Sequence, residues 1–498
     1  MSDARRITSH ITRSLVAAVV AATLSACAAV GPDYRRPDVA TPAKFASDAA
    51  RIAATADGAA APTGAAQPQN VASRPEVDAE FWRRFGDPML DALVERALHE
   101  NFDLRTALAR FDQANALLRE AKFDRLPTVT AAASATSARL SADELPGASR
   151  GDRDLDRYGA SVVAGWELDL FGRVRRNVES QHADAAATAA DLAALQVAIV
   201  GEVARSYLEL RGLQQRLQVA RGNAENQRET LRIVEVRLDA GRGTEFDTSR
   251  ARAQLEATLA RIPAFAAALD VMMHRLAVLT GQTPGALMAQ LDAMRPMPAL
   301  PDSVDAGTPG DLLRRRPDIS AAEERLHAAT ARIGVATADL FPRFTLGGLV
   351  GTQALDSSAL FERDSERGLV VLGVDWSFLD IGRVKSRIAA SDAAAAGALA
   401  QYQQAVLKAL EETENALVRF GQARREDAHL ERAALDSARA AELARVRFDA
   451  GAIDLLEVLD SERTQLQAQD AFADGRTRSA TSLVDVYASL AGGWPEKK

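Results

Sequence analysis

One cysteine, Cys27, stands in a chain of 498 residues, which excludes an intrachain disulfide framework and a cysteine-based zinc site. Large rings are scarce: 16 Phe, 5 Tyr and 4 Trp make up 5% of a sequence that is 47% hydrophobic. The apolar share therefore rests on Ala, Leu and Val, which suits long, closely packed helices better than several thick globular cores. No run of about 18 apolar residues follows residue 30, so no helical membrane span is expected. The six histidines (His10, His99, His182, His274, His327 and His429) show no metal-ligand spacing. Neither a G-x-S-x-G elbow nor a phosphate loop with its lysine occurs, so no catalytic, metal or cofactor-binding residue is assigned. With 60 basic and 68 acidic residues the net charge is −8, where a nucleic-acid binder would carry a basic excess. Proline is unevenly spread: of 18, none lies between Pro146 and Pro263 or between Pro342 and Pro495.

The N-terminus reads as an address. Arg5, Arg6 and Arg13 precede a ten-residue apolar stretch, Leu15 to Leu24, too short to anchor in a bilayer, followed by small residues; this is the pattern of a secretory signal. Its last four residues, Leu24-Ser25-Ala26-Cys27, resemble a bacterial lipobox, which implies cleavage after residue 26 and a covalent lipid on Cys27. Ala28, where an inner-membrane retention signal has Asp, points to the outer membrane. Residues 27–80 form a lipidated linker, rich in Ala, Pro, Ser and Thr from residue 38 onwards and without period.

The remainder is one unit written twice. Arg237-Leu-Asp-Ala-Gly241 recurs as Arg447-Phe-Asp-Ala-Gly451, and Trp166 recurs as Trp376, both 210 positions on; Leu126-Pro127 recurs as Phe341-Pro342 at an offset of 215. Each copy, 81–300 and 301–498, reads helix, strand, loop, strand, very long helix, turn, helix. Even positions from Tyr158 to Leu170 are apolar and odd ones mostly small or polar, and 369–378 repeats the alternation. Tyr158, Trp166, Phe344, Trp376 and Phe378 lie toward strand ends, as in the aromatic girdle of a membrane barrel. Partner strands are expected at 128–138 and 343–353. Four strands cannot close a barrel, and an open edge cannot face lipid, so several chains must contribute; the arithmetic allows eight strands or twelve.

The proline-free stretch from Arg173 to Leu238 predicts a helix of 66 residues, about 99 Å at 1.5 Å per residue. Leu192, Leu195, Ile199, Val203 and Leu210 recur along it at spacings of three, four and seven, a near-heptad seam. Gly382–Phe448 is its counterpart. Each ends at Asp-Ala-Gly, and returning helices are expected over 247–280 and 454–490.

The chain resembles the outer-membrane efflux proteins, in particular the lipoprotein channels that serve resistance-nodulation-division pumps. The resemblance rests on Val30-Gly-Pro-Asp-Tyr-Arg-Arg-Pro37, Phe81-Trp82 with Phe85-Gly-Asp-Pro88, Arg316-Pro-Asp-Ile319, the Phe341-Pro342 junction and Leu490-Ala-Gly-Gly-Trp494. It implies a mainly α fold with a membrane β-barrel: a homotrimer whose four strands per chain form a 12-stranded barrel continued by an α-helical barrel. It further implies a passive efflux duct, a periplasmic adaptor docked at the hairpin tips and an inner-membrane transporter behind it. Alignment on Gly451 places the family's periplasmic gate at Leu456, an apolar plug, and Asp460, a negative ring; the first copy has Phe246 and Arg250 there. Gly241, Gly451, Arg237 and Arg447, flanked by Asp239 and Asp449, are the adaptor-contact candidates, with plain helix capping as the alternative. The rival function is a lipid-anchored periplasmic adaptor or structural coiled-coil protein, which would have one hairpin and no membrane strands.

Overall fold

A computed structural model describes residues 29–40, 42–45, 80–300 and 308–491. The signal, Cys27, the linker over 46–79 and the last three residues of the Leu490–Trp494 motif lie outside them. In chain order a 3-10 turn (Phe81–Phe85) leads into α1 (Pro88–Glu100), α2 (Phe102–Phe123), β1 (Thr128–Arg139), β2 (Asp154–Leu168), α3 (Arg173–Asp239), α4 (Glu245–Leu259), α5 (Arg261–Leu279) and α6 (Met288–Leu291). The second half gives α7 (Pro309–Arg315), α8 (Pro317–Ala338), β3 (Arg343–Ala354), β4 (Glu366–Asp375), α9 (Ile381–Asp449) and α10 (Leu455–Ser489).

Two expected helices are broken. The run before Leu126 divides at Asn101, whose Oδ1 accepts from Asp103 N and Leu104 N at 2.8 and 3.1 Å to start α2. The returning helix of the first copy divides at Ala260. Pro263 has no N–H for the carbonyl of Leu259, four residues back, and its ring crowds that carbonyl.

The chain packs as two compact units, and neither coincides with a sequence copy. One comprises the N-terminal residues to Asp38, Arg110–Ala189 and Ala321–Gln403; the other comprises Val39–Ala109, Ala190–Ser320 and Gln404–Lys498.

The first unit holds a four-stranded antiparallel sheet in the order β1-β2-β3-β4. Register explains the alternation in the sequence. Trp166 opposes Leu346 and Leu346 opposes Leu372, while Leu168, Phe344 and Val374 form the next row. The even residues thus make one continuous apolar face, joined by Val129, Ala131 and Ala133 of β1. The other face is mixed: Gly159, Ser161, Glu167, Thr345 and Gly373 share it with Val163, Leu349, Leu369 and Val371. At one end each copy repeats the same anchor: Trp166 Nε1 donates to the Arg125 carbonyl at 3.1 Å, and Trp376 Nε1 to the equivalent Leu340 carbonyl at 3.0 Å. The N-terminal residues cross this region as a strap. Val30 N donates to Phe171 O at 3.0 Å, and Arg176 reaches Val30 O at 3.1 Å and Asp33 at 2.6 Å. Tyr34 stacks on His327 with centroids 4.4 Å apart. At Gly31, with φ +89°, a Cβ would lie 2.5 Å from the Cα of Gly334, so the crossing requires glycine.

In the second unit, Phe81, Trp82 and Phe85 of the 3-10 turn pack with Leu90, Val200, Tyr207, Leu276, Leu483 and Tyr487 in one apolar core. By length and composition alone α3, and α4 with α5, would pass as membrane-crossing helices. Within this unit their apolar residues Val200, Val203, Leu208 and Leu276 are buried in protein. Arg211 is fully buried beneath the core. Its guanidinium lies over the Tyr207 ring and donates to Tyr207 Oη, Gln214 Oε1 and Ala293 O at 2.9, 2.6 and 3.1 Å. Tyr207 in turn donates to Asp87, which caps α1 by accepting from Met89 N at 2.8 Å.

An ion ladder joins α3, α5 and α10. Asp470 accepts from Arg216 at 2.7 and 3.2 Å and pairs with Arg261. Burial pushes the Asp470 carboxyl up, but the Arg216 hydrogen bonds and the charges of Arg216 and Arg261 outweigh it and hold it below the usual carboxylate range. A carboxyl depressed in the folded state contributes stability above its unfolded pKa, near ~4, and loses it as pH falls through the folded value. The stability gap between the wild type and Asp470→Asn is therefore expected to be full at neutral pH and to close in acid. Thermal unfolding of the detergent-solubilised protein across pH checks this; a gap constant down to strong acid refutes it.

Candidate functional site

The hairpin tips combine repetition with asymmetry. At the end of α3, Gly241 has φ +70°, its N–H donates to Leu238 O and that of Arg242 to Arg237 O, both at 2.8 Å. At the end of α9, Gly451 has φ +71°, its N–H donates to Phe448 O at 2.9 Å and that of Ala452 to Arg447 O at 2.8 Å. Both turns are the same Schellman closure, which requires a left-handed residue and so favours glycine. The two tips are packed together by Val234, Ala251, Ala444, Phe448, Leu455, Val458 and Leu459.

The returning helices start differently. Thr244 and Asp247 form a reciprocal capping box for α4, whereas Asp454 caps α10 by accepting from Glu457 N at 3.2 Å. On α10, Leu455, Val458, Leu459 and Glu462 are buried. Glu462 accepts from Thr230 Oγ1 at 2.7 Å and Arg445 Nε at 3.0 Å. Leu456, Asp460 and Arg463, at steps of four and three, share the opposite, exposed stripe. Leu456 is 50% exposed, and Asp460 Oδ1 accepts from Arg463 at 2.5 Å. Sequence reasoning named Leu456 and Asp460 but missed Arg463, whose signal was its helical spacing of three from Asp460. In the first copy the exposed pair is Phe246 with Arg250 over its ring at 5.5 Å.

The adaptor-contact candidates separate. Gly241, Gly451 and Arg447 are exposed. Arg237 is half-buried: its guanidinium lies 3.7 Å from the centroid of Phe448 and donates to Phe448 O at 3.2 Å, bracing one tip against the other. Such an arrangement offers no nucleophile beside a base. What it presents is an apolar side chain and a paired charge on one exposed helix stripe.

Comparison with known proteins bears on this geometry. The outer membrane efflux protein family model matches residues 93–282 and 308–492, one stretch in each copy. Outer membrane protein OprJ of Pseudomonas aeruginosa is 32% identical over 489 residues, covering 96% of each chain. Nodulation protein T of Rhizobium leguminosarum bv. trifolii is 30% identical over 483 residues, covering 94% of each. Among solved structures, the outer-membrane channel OprN is 41% identical with a TM-score of 0.83, covering 93% of this chain and 99% of its own. The fold is therefore that of a solved outer-membrane channel, mainly helical with four antiparallel strands.

Proposed function

The chain belongs to the outer membrane efflux protein family, and on that premise we propose that it is the trimeric, passive outer-membrane duct of a tripartite pump exporting small toxic molecules. The observation that carries the reading is the sheet: four strands whose edges, β1 and β4, have no partner strand among the described residues, with a continuous apolar face. Unpaired edges cannot face lipid, and the smallest usual barrels have about eight strands. The sheet alone would allow two chains or three; the family resemblance favours three, which supply twelve. The mature chain begins at Cys27, which carries the lipid; residues 27–80 link it to the tandem copies 81–300 and 301–498. A periplasmic adaptor meets the exposed tips at Gly241, Gly451 and Arg447, with Arg237 as the brace behind them, and an inner-membrane resistance-nodulation-division transporter loads the duct. Three copies of Leu456 and Asp460 close its periplasmic end. The duct performs no chemistry of its own.

The detergent-extracted protein is expected to be a heat-modifiable trimer that conducts in planar bilayers. Monomeric, carbonate-extractable protein without pores would favour a lipid-anchored adaptor instead.

A further inference from the structure

The two sequence copies differ in the groove beside their long helices. In the first, α3, α5 and α10, all of the second unit, leave open a cavity of about 430 Å³, within the roughly 300–1,000 Å³ that small-molecule sites occupy. Its floor is a close approach. A Cβ on Gly212 would overlap the Thr477 hydroxyl, so glycine is what lets α10 lie against α3 here. Its walls are apolar: Leu213 of α3 with Ala267, Val271 and Met272 of α5.

Two charged groups of α3 line this cavity seven residues, about two turns, apart. Arg216 is fully engaged. It pairs with Asp470 and Asp474 at 2.7 and 3.0 Å and lies 4.9 Å from the centroid of Phe265 on α5. Because α5 returns along α3, Glu209 stands at the other end, toward Met272. Glu209 is half-buried, and among the described residues no group donates a hydrogen bond to its carboxylate. Arg205, one turn before it, is held instead by Glu202 and Asp485. Burial pushes the Glu209 carboxyl above the usual carboxylate range, against the charge of Arg205 and with those of Glu202 and Asp485.

The second copy has no such arrangement. On α9, Arg419, Gln422 and Glu426 stand 210 positions after Glu209, Gly212 and Arg216. On α10 the offset is 211, since Leu279 and Gly281 recur as Leu490 and Gly492, and Arg478 and Ser482 stand for Ala267 and Val271. Arg478 spans to α9, donating to Glu426 at 2.8 Å. The second copy thus bridges its groove with an arginine, where the first has alanine, an open cavity and an acid without a donor.

We propose that this cavity binds a small lipophilic amine, with its ammonium on Glu209 and its apolar body against Leu213, Val271 and Met272. Charge selects the class. An anion meets Glu209 at one end and an arginine already neutralised by two aspartates at the other. A neutral body would cover the carboxylate and leave it unpaired, which costs its desolvation. An ammonium supplies the missing donor, and the flexible thioether of Met272 adapts to the shape it carries. The site lies in the helical part of the chain and stands whether or not the chain is a duct.

Equilibrium dialysis of the full-length protein in detergent, against matched protein-free micelles, tests this with 1-naphthylmethylamine as the probe and 1-naphthylmethanol as its uncharged counterpart. The amine is expected to bind saturably at about one per chain, and the alcohol about tenfold more weakly, the scale of one charge-assisted hydrogen bond. Glu209→Gln is expected to weaken the amine to the level of the alcohol, while Glu209→Asp, which keeps the charge, retains most of the binding. Ala267→Arg, which imports the arginine of the second copy, is expected to abolish binding of both compounds. No saturable binding of the amine to the wild type overturns the site, as a cavity filled by a second copy of the chain would give. Amine and alcohol binding alike, a comparison that needs no variant, overturns the role of charge. Amine binding unchanged in both Glu209→Gln and Ala267→Arg overturns its location.

Discussion

Trimers carrying Leu456→Ala are expected to conduct several-fold better than the wild type in planar bilayers, with Asp460→Ala acting on ion preference instead. Leu456 and Asp460 stand four residues apart on the exposed stripe of α10, while Leu455, Val458 and Leu459 hold the opposite stripe in the core. Truncating Leu456 therefore leaves the packing of the tip intact. In the gate proposed above it would remove an apolar ring, and apolar constrictions gate by dewetting. Asp460 works differently, because each copy is accompanied by Arg463 at 2.5 Å. At the proposed gate three such pairs would bring little net charge, so Asp460→Ala is expected to leave three arginines unpaired and shift preference toward anions, and Arg463→Ala to shift it toward cations. Reversal potentials in a salt gradient read both. Conductance and selectivity unchanged in all three variants would remove these residues from the gate.

How much of this was written in the sequence follows from the range of the interactions concerned. Period-two alternation placed β2 and β4, since each residue reports its own face, and the repeat supplied their weaker partners β1 and β3. The long helices were equally legible from the absence of proline and from Asp-Ala-Gly, because capping is decided within six residues. The division at Ala260 was legible too, with Pro263 three residues on, but a helical pattern continuing on both sides masked it. The strap was not: Gly31 meets Gly334, and Arg176 meets Asp33, contacts between segments that no local pattern connects. Val30-Gly-Pro-Asp-Tyr-Arg-Arg-Pro37 was visible as a motif, yet its stacking of Tyr34 on His327 appears only once α8 lies beside it. Likewise alignment on Gly451 with the family pattern located Leu456 and Asp460 but did not reveal that Arg237 leaves the tip surface to stack on Phe448.

Arg316, the first residue of the Arg-Pro-Asp-Ile motif, is expected to carry the largest single contribution to stability, with Arg316→Ala costing about 3 kcal/mol. Its side chain is 10% exposed and meets three acceptors on three elements. Nε and Nη2 grip Asp318 of α8 at 3.0 and 2.6 Å, Nη2 also reaches Glu412 of α9 at 2.7 Å, and Nη1 donates to Ser489 O at the end of α10 at 3.1 Å. Burial works against this guanidinium, but its two carboxylate partners outweigh the effect and raise its pKa further, so it stays charged at every accessible pH. Pro317 explains why the motif is contiguous: it starts α8 with no N–H to satisfy and, by holding Arg316 extended, aims the side chain across the helices. Lysine cannot replace it, since one ammonium has neither the planar fork for Asp318 nor the reach to Ser489 at once. Arg316→Lys should therefore unfold nearly as early as Arg316→Ala. Glu412 lies 37 residues before the end of α9, roughly 55 Å along the helix, so neither change should alter single-channel conductance. Stability lost at Arg316 with conductance kept, against conductance altered at Leu456 with stability kept, would separate the residues that hold the helices together from those that close the pore. An Arg316→Lys protein as heat-stable as the wild type would show that charge alone, and not the fork, does the holding.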